Sequence, residues 1–212
     1  MPAVTVSDRR FLVLHALAIK GIAPAEGVAE SSGLSPSEAE RILQELVESG
    51  QARWRGGRVP GFMLLPKGMA AHAELLNADV ADDEVLDALN RTYTDFLPVN
   101  TAFKRLCTDW QMRDVSGTLV PNDHTDAEYD ASVIARLDGI HEAVTSALAP
   151  AAEVRTRFGT YRARLSAALA RIRTGDTEAF ARPMANSYHD IWMELHQDLL
   201  VSLKRERSAA DE

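Results

Sequence analysis

The chain has 212 residues, 46% hydrophobic and 25% charged, with a formal net charge of −8 and a single cysteine, Cys107. That length holds one large domain or two small ones, and the composition is that of a globular protein. The acidic balance excludes a general polyanion binder, and one cysteine excludes a disulfide framework.

In chain order, residues 8–20 place Phe11, Leu12, His15, Leu17 and Ile19 in a mostly apolar helix, with Ser7 as its N-cap and Gly21 at its end. Asp8, Arg9 and Arg10 stand directly before the apolar run, so the N-terminus does not resemble a signal peptide. No apolar stretch approaches the roughly 18–20 residues that span a bilayer, and the reading is a soluble cytoplasmic protein. Residues 23–33 form a second short helix closed by Gly33. In "SPSEAERILQELVESG", Ser35 is the N-cap, Pro36 takes the first helical position, Glu38 completes a capping box and Gly50 caps the C-terminus. Ala39, Ile42, Leu43, Leu46 and Val47 are its buried stripe. Residues 52–65 change period: "ARWR", "GG" and "RVPGFMLL" predict a β-hairpin, with Pro60 and Gly61 making the second strand an edge or bulged one. Trp54 is expected to point inward, onto the helices. Pro66 opens the next helix, "PKGMAAHAELLNA".

Three short helices followed by a hairpin is the order of a winged helix. Through "GVAESSGLSPSEAERILQELVESGQARW", the hairpin and "LLPKGMAAHAELL", residues 8–76 resemble the MarR-like winged helix-turn-helix family. The resemblance implies DNA binding and pairing into a homodimer through helices flanking the winged domain, here residues 8–20 and 80–96.

From residue 80 onward the chain reads as helical, with no strand-like alternation. Asp82 or Asp83 caps a segment through Phe96, and Pro98 or Asn100 begins another through about Arg113. Residues 114–126 are a loop. Thr125 with Glu128 is a second capping box, opening a helix to about Leu148, and Pro150 breaks it. Residues 153–173 are an arginine-rich helix ended by Gly175, residues 176–180 a turn, and Pro183 opens a last helix to about Lys204. The expected fold is therefore mainly α: a winged helix of three helices plus hairpin over 1–78, a helical bundle over 79–206 and a frayed tail at 207–212. Two stretches, "PNDHTDAEYDASV" and "RPMANSYHDIWMELHQDLL", resemble helical regions of bacterial, chiefly actinobacterial, proteins linked to phosphoenolpyruvate-utilising enzymes of the pyruvate phosphate dikinase type. None of the dikinase catalytic domains is present, so the resemblance implies an accessory partner of such an enzyme.

Charge is divided unevenly. Residues 1–77 hold eight cations and eight anions, and the rest of the chain carries the whole −8. On the third helix Ser37, Arg41 and Gln44 are of types that read base edges or hold phosphates, while Glu40 and Glu48 oppose them. Glu near a helix N-terminus is also simply favoured by the helix dipole. Arg53, Arg55 and Arg58 bracket the hairpin glycines, where winged proteins touch the phosphate backbone or minor groove. Solvated arginines that keep a turn soluble are the plainer alternative.

In the second half, His189 and His196 share a face of the last helix but stand seven residues apart, too far to bind one metal unaided. They are either packed bundle residues or, with Tyr188, part of a polar ligand pocket. His124 sits in a loop with Asn122, Asp123 and Asp126, a set that serves turns and caps as well as ligands. Arg157, Arg164 and Arg171 recur every seven residues and could salt-bridge acidic helices, support a subunit interface or capture an anion. Arg164 completes the expected ligand set with His124, Tyr188, His189 and His196. No nucleophile setting or phosphate loop is present, so no catalytic residue, cofactor or metal is expected. The reading is a transcriptional regulator on double-stranded operator DNA, a homodimer modulated by a small, anionic ligand. The alternative is an accessory module that docks on an enzyme.

Overall fold

A computed structural model describes residues 8–206, so Ser7 and the tail from 207 lie outside the described residues. Ten helices and two antiparallel hairpins are present among them, and the fold is mainly helical.

The first helix, α1 (Arg9–Lys20), begins at Asp8, whose Oδ1 accepts from the Arg10 N–H at 2.8 Å. Every residue from Phe11 to Leu17 is buried. α2 (Ala25–Ser32) follows, then α3 (Pro36–Glu48). Ser35 caps α3: its Oγ accepts from the Glu38 N–H at 3.4 Å and donates to Glu38 Oε2 at 2.9 Å. Ala39, Ile42, Leu43 and Leu46 are buried as expected, but Val47 lies 40% exposed at the edge of the stripe.

β1 (Ala52–Arg55) and β2 (Gly61–Leu64) form the first hairpin, with Trp54 opposite Phe62. The link between α1 and α2 joins its edge through paired Ala23–Phe62 backbone bonds of 3.1 and 2.7 Å. Gly61 is required there, because a Cβ would lie 2.7 Å from the Ala23 carbonyl carbon. α4 (Pro66–Asp79) carries a second close approach: a Cβ on Gly68 would sit 2.2 Å from the Gln51 carbonyl oxygen. Trp54 corrects the expectation that it packs inward. It is 52% exposed and its ring meets Phe62 edge-on at 4.9 Å, on a strand where Ala52 alone is buried.

α5 (Asp83–Gln111) replaces the two expected helices with one of 29 residues that passes through Pro98. Phe96, Asn100 and Phe103 are buried on both sides of the proline, and Asn100 Oδ1 accepts from Trp192 Nε1 at 2.9 Å. Packing on both flanks outweighs the one backbone bond that Pro98 removes. The expected loop contains a second hairpin, β3 (Met112–Val115) with β4 (Thr118–Pro121). Its turn, Ser116–Gly117, has φ of 56° and 85°, the positive pair that a two-residue hairpin requires.

α6 (Ala127–Ala147) is capped by Asp126, which accepts from the Tyr129 N–H at 3.1 Å, and not by Thr125. The Thr125 hydroxyl is occupied in donating to Asp123 Oδ1 at 2.7 Å. α7 (Ala149–Val154) and α8 (Thr156–Arg173) are separated by Arg155 in extended backbone. α9 (Glu178–Ala181) precedes α10 (Tyr188–Ser202). That last helix starts at Tyr188, five residues after Pro183, and its N-cap Ser187 closes a reciprocal capping box with Asp190.

Two clusters of buried residues form. The smaller gathers Val13, Leu14 and Leu17 of α1 with Val28, Ile42, Leu43 and Leu46. The larger gathers α5 to α10 around Phe96, Phe103, Phe158, Phe180 and Trp192, and Phe11 and Leu12 of α1 enter it. α1 therefore serves both.

Candidate functional site

Three places carry chemistry: the face of α3 with the first hairpin, a cleft at the seam between the two cores, and the charged network beneath that cleft.

On α3, Ser37, Arg41 and Gln44 are all exposed, as are Glu40, Glu45 and Glu48. Arg41 pairs with Glu45 one turn on, and Arg9 pairs with Glu38. The hydrogen bond from Ser35, then Arg9, hold the Glu38 carboxyl below its ordinary range. Arg53, Arg55 and Arg58 are exposed too, and none of them forms an ion pair among the described residues. Arg53 and Arg55 alternate with Trp54 and so lie on the opposite face of the strand.

The five expected ligand residues do not share a site. His124, at φ 58°, packs against Trp110 with ring centroids 4.4 Å apart and the planes tilted by 40°, and pairs with Asp130 at 3.0 Å. Asn122 Nδ2 donates to the same carboxylate at 2.9 Å, so this cluster fastens the second hairpin to α6. His196 is buried against Phe96, and His189 is half-buried near Phe103. The Tyr188 hydroxyl lies 3.2 Å from His141 Nδ1, with its pKa raised by burial. Arg164 donates to Glu194 at 2.7 Å and to Asn186 Oδ1 at 2.7 Å, so its guanidinium is engaged. The arginine stripe is not one surface: Arg155, Arg157 and Arg164 are buried, while Arg171 and Arg173 are exposed.

The cleft has a volume of about 900 Å³. One wall is the end of α1, the start of α2 and the hairpin residues Val59 and Pro60. The other is residues 184–186 and one face of α10. None of the five expected ligand residues lines it, although Arg164 braces Glu194 and Asn186, which do. Glu194 also accepts from Ser31 Oγ at 3.1 Å and pairs with Lys20. These cations overcome burial and keep its carboxyl below the ordinary range.

Below Glu194 a buried chain of polar groups crosses the seam. His72 Nε2 of α4 lies 2.9 Å from His15 Nδ1 of α1, and His15 Nε2 lies 3.0 Å from Asp198 Oδ1 of α10. Asp198 accepts from Ser202 Oγ at 2.8 Å and faces Arg157 at 3.4 Å. Arg157 in turn pairs with Asp79, and Arg155 Nε is 3.2 Å from the same carboxylate. Burial raises the Asp198 pKa, but His15 and Arg157 outweigh it and hold the carboxyl well below its usual range. His72 is held down to about 4, first by burial and then by His15. Sequence reasoning missed this network. Its signals were a lone histidine in each of two apolar helices and an aspartate inside "HQDLLV".

Cys107, half-buried on α5, has its thiol pushed up to about 12 by burial and is held as a thiol. Among the described residues no cluster of three or more His, Cys, Asp or Glu is placed to hold a metal ion, and no helix is long and apolar enough to cross a membrane. Comparisons with family models, with curated proteins and with solved structures gave no match to the chain.

Proposed function

We propose that the protein is a cytoplasmic transcriptional regulator. In this reading residues 8–78 act as a MarR-like winged helix on double-stranded operator DNA, and the helical half sets their affinity in response to a small ligand. The observation that carries the reading is the hairpin. Three guanidiniums, on Arg53, Arg55 and Arg58, stand in solvent, and among the described residues no carboxylate pairs with them. Free cations at a hairpin tip suit the phosphate backbone. Ser37 and Gln44 on the outer face of α3 would meet base edges, with Arg41 released from Glu45. Glu40 and Glu48 narrow that face rather than close it, since a carboxylate accepts from cytosine N4.

The regulator would act as a homodimer on two half-sites, one helical turn or a multiple of it apart. The face of α1 is used up within the chain, since Phe11 through Leu17 are buried. The outer positions of α5 over residues 83–95 are polar: Asp83, Glu84, Asp87, Arg91 and Asp95. Pairing through these two helices would therefore be polar and modest. As for the ligand, Arg164 is engaged by Glu194 and Asn186 and offers an anion no free charge.

Polarisation of a labelled duplex from the region upstream of the protein's own gene tests the reading. Binding should weaken with salt, and replacing Arg53, Arg55 and Arg58 by Ala should reduce the slope of log affinity against log salt by about three. Absence of salt-dependent binding, or an unchanged slope in the triple variant, removes the reading.

A second reading, an accessory module docking on a phosphoenolpyruvate-utilising enzyme, is favoured by Trp54. A tryptophan 52% exposed beside Phe62 is the kind of anchor that protein interfaces use. Trp54→Ala should release a co-purifying enzyme under this reading and leave duplex affinity near its original value.

A further inference from the structure

The cleft at the seam has a lining of defined charge. We propose that it takes an amphipathic organic cation: an apolar body of drug-like size bearing one positive charge. This deepens the regulator reading and rests on it only for the consequence for DNA.

A cleft of about 900 Å³ lies within the range of small-molecule sites. Its walls are largely apolar: Ile19, Ile22, Pro60, Met184 and Met193 face it. Met184, which lines the cleft, is 74% exposed and offers an occupant an apolar side chain. The charged lining is four carboxylates, Glu26, Glu30, Asp190 and Glu194, against the single ammonium of Lys20. Two of the four are already occupied. Glu194 is taken by Lys20 and Arg164, which also uses up Lys20, and Asp190 accepts from the backbone N–H groups of Ala185 and Ser187. The other two are not held by any cation among the described residues: Glu30 accepts only from Asn186 Nδ2 at 2.7 Å, and Glu26 is exposed on the first turn of α2. An anion entering this cleft would meet uncompensated carboxylates, a neutral molecule would leave them as they are, and a cation would pair with them. The carboxylates left without a cation, Glu26 and Glu30, both stand on the α2 wall, and the apolar contacts come from both walls. An occupant would thus tie the α1–α2 segment and the hairpin to α10, fixing the DNA-facing part against the bundle.

Two ions of nearly identical shape and opposite charge separate these cases. Titration calorimetry of the full chain, without DNA, should give one site for tetraphenylphosphonium, bound at least about tenfold tighter than tetraphenylborate. The double variant Glu26→Gln, Glu30→Gln should weaken the phosphonium by about tenfold and leave the borate unchanged or stronger. Gly27→Leu fills the cleft from α2, where a Cβ makes ordinary contacts of 3.5 Å to Pro24 Cδ and 3.7 Å to Pro24 Cγ and Lys20 Cε, and should abolish binding while circular dichroism stays constant. Equal or tighter binding of the borate, no binding of either ion, or phosphonium binding unaffected by Gly27→Leu overturns the proposal. A chain that binds the phosphonium but no duplex keeps the cleft site and loses the regulator reading. A chain that binds duplex but neither ion does the reverse.

Discussion

Acid should weaken this fold, and the largest resolved histidine shift behind that is the one at His72. Its ordinary pKa of 6.5 is lowered to about 4 in the folded chain. Burial is the main cause. His15, 2.9 Å away, and Arg157 add to it, and Asp198 opposes them. The folded state thus keeps the imidazole neutral, while the unfolded chain takes up a proton below 6.5. Stability is full above that pH and is lost as the pH falls towards 4. Between pH of about 7.5 and about 5, the two titration curves differ by about 2 kcal/mol for this group. In a chain of this length that is a fall in Tm of about 4–8 °C. The carboxyl of Asp198 stays ionised throughout, because its pKa is already far below the window. His141, also lowered by burial, acts in the same direction, so the wild type alone cannot isolate His72. Urea unfolding at several pH values, wild type against His72→Gln, does isolate it. The variant should lose stability at neutral pH and show a flatter dependence on acid. Two profiles that run parallel within about 0.5 kcal/mol would refute the burial argument.

Further outcomes follow from the same seam and from the two tight backbone approaches. Asp198→Ala leaves Arg157 and His15 facing each other without their shared carboxylate, and should cost about 3–5 kcal/mol in denaturant unfolding. Gly68→Ala forces α4 away from Gln51 and should cost more than about 2 kcal/mol, whereas Gly139→Ala, with open space around it, should be neutral or slightly stabilising. His124→Ala should loosen the β3–β4 hairpin locally. Hydrogen exchange at the Asn122 N–H, which donates to the Gln111 carbonyl at 2.8 Å, should accelerate while global unfolding shifts by no more than about 1 kcal/mol.

Local signals in the sequence were read correctly where local physics decides the outcome. Ser35–Pro36 opens a helix because the cap and the fixed proline φ act within one turn, and Ala39, Ile42, Leu43 and Leu46 are buried because helical spacing puts them on one face. The first hairpin was legible from its glycines between apolar runs. The second followed the same rule with "SG" between "MRDV" and "TLVP", but its flanks were too short and polar to stand out against the surrounding helices. Pro98 was misread because tertiary packing around Phe96 and Phe103 overrides a local penalty. The expected ligand set failed for a related reason. Histidines on α10 were judged by the face they share, but both faces of that helix are covered, one by α5 and the other by α1. Links such as Asp79 to Arg157 or Lys20 to Glu194 join residues far apart in the chain, and no local period announces them.

One helix shared between two cores limits how this protein can be divided. Cutting the chain after α4 would bare Phe11 and Leu12, leave His15 without Asp198 and leave Asp79 without both of its arginines. The N-terminal segment is therefore not a portable cassette. Expressed alone it should be poorly folded, and grafting it onto another bundle would require α8 and α10 to travel with it.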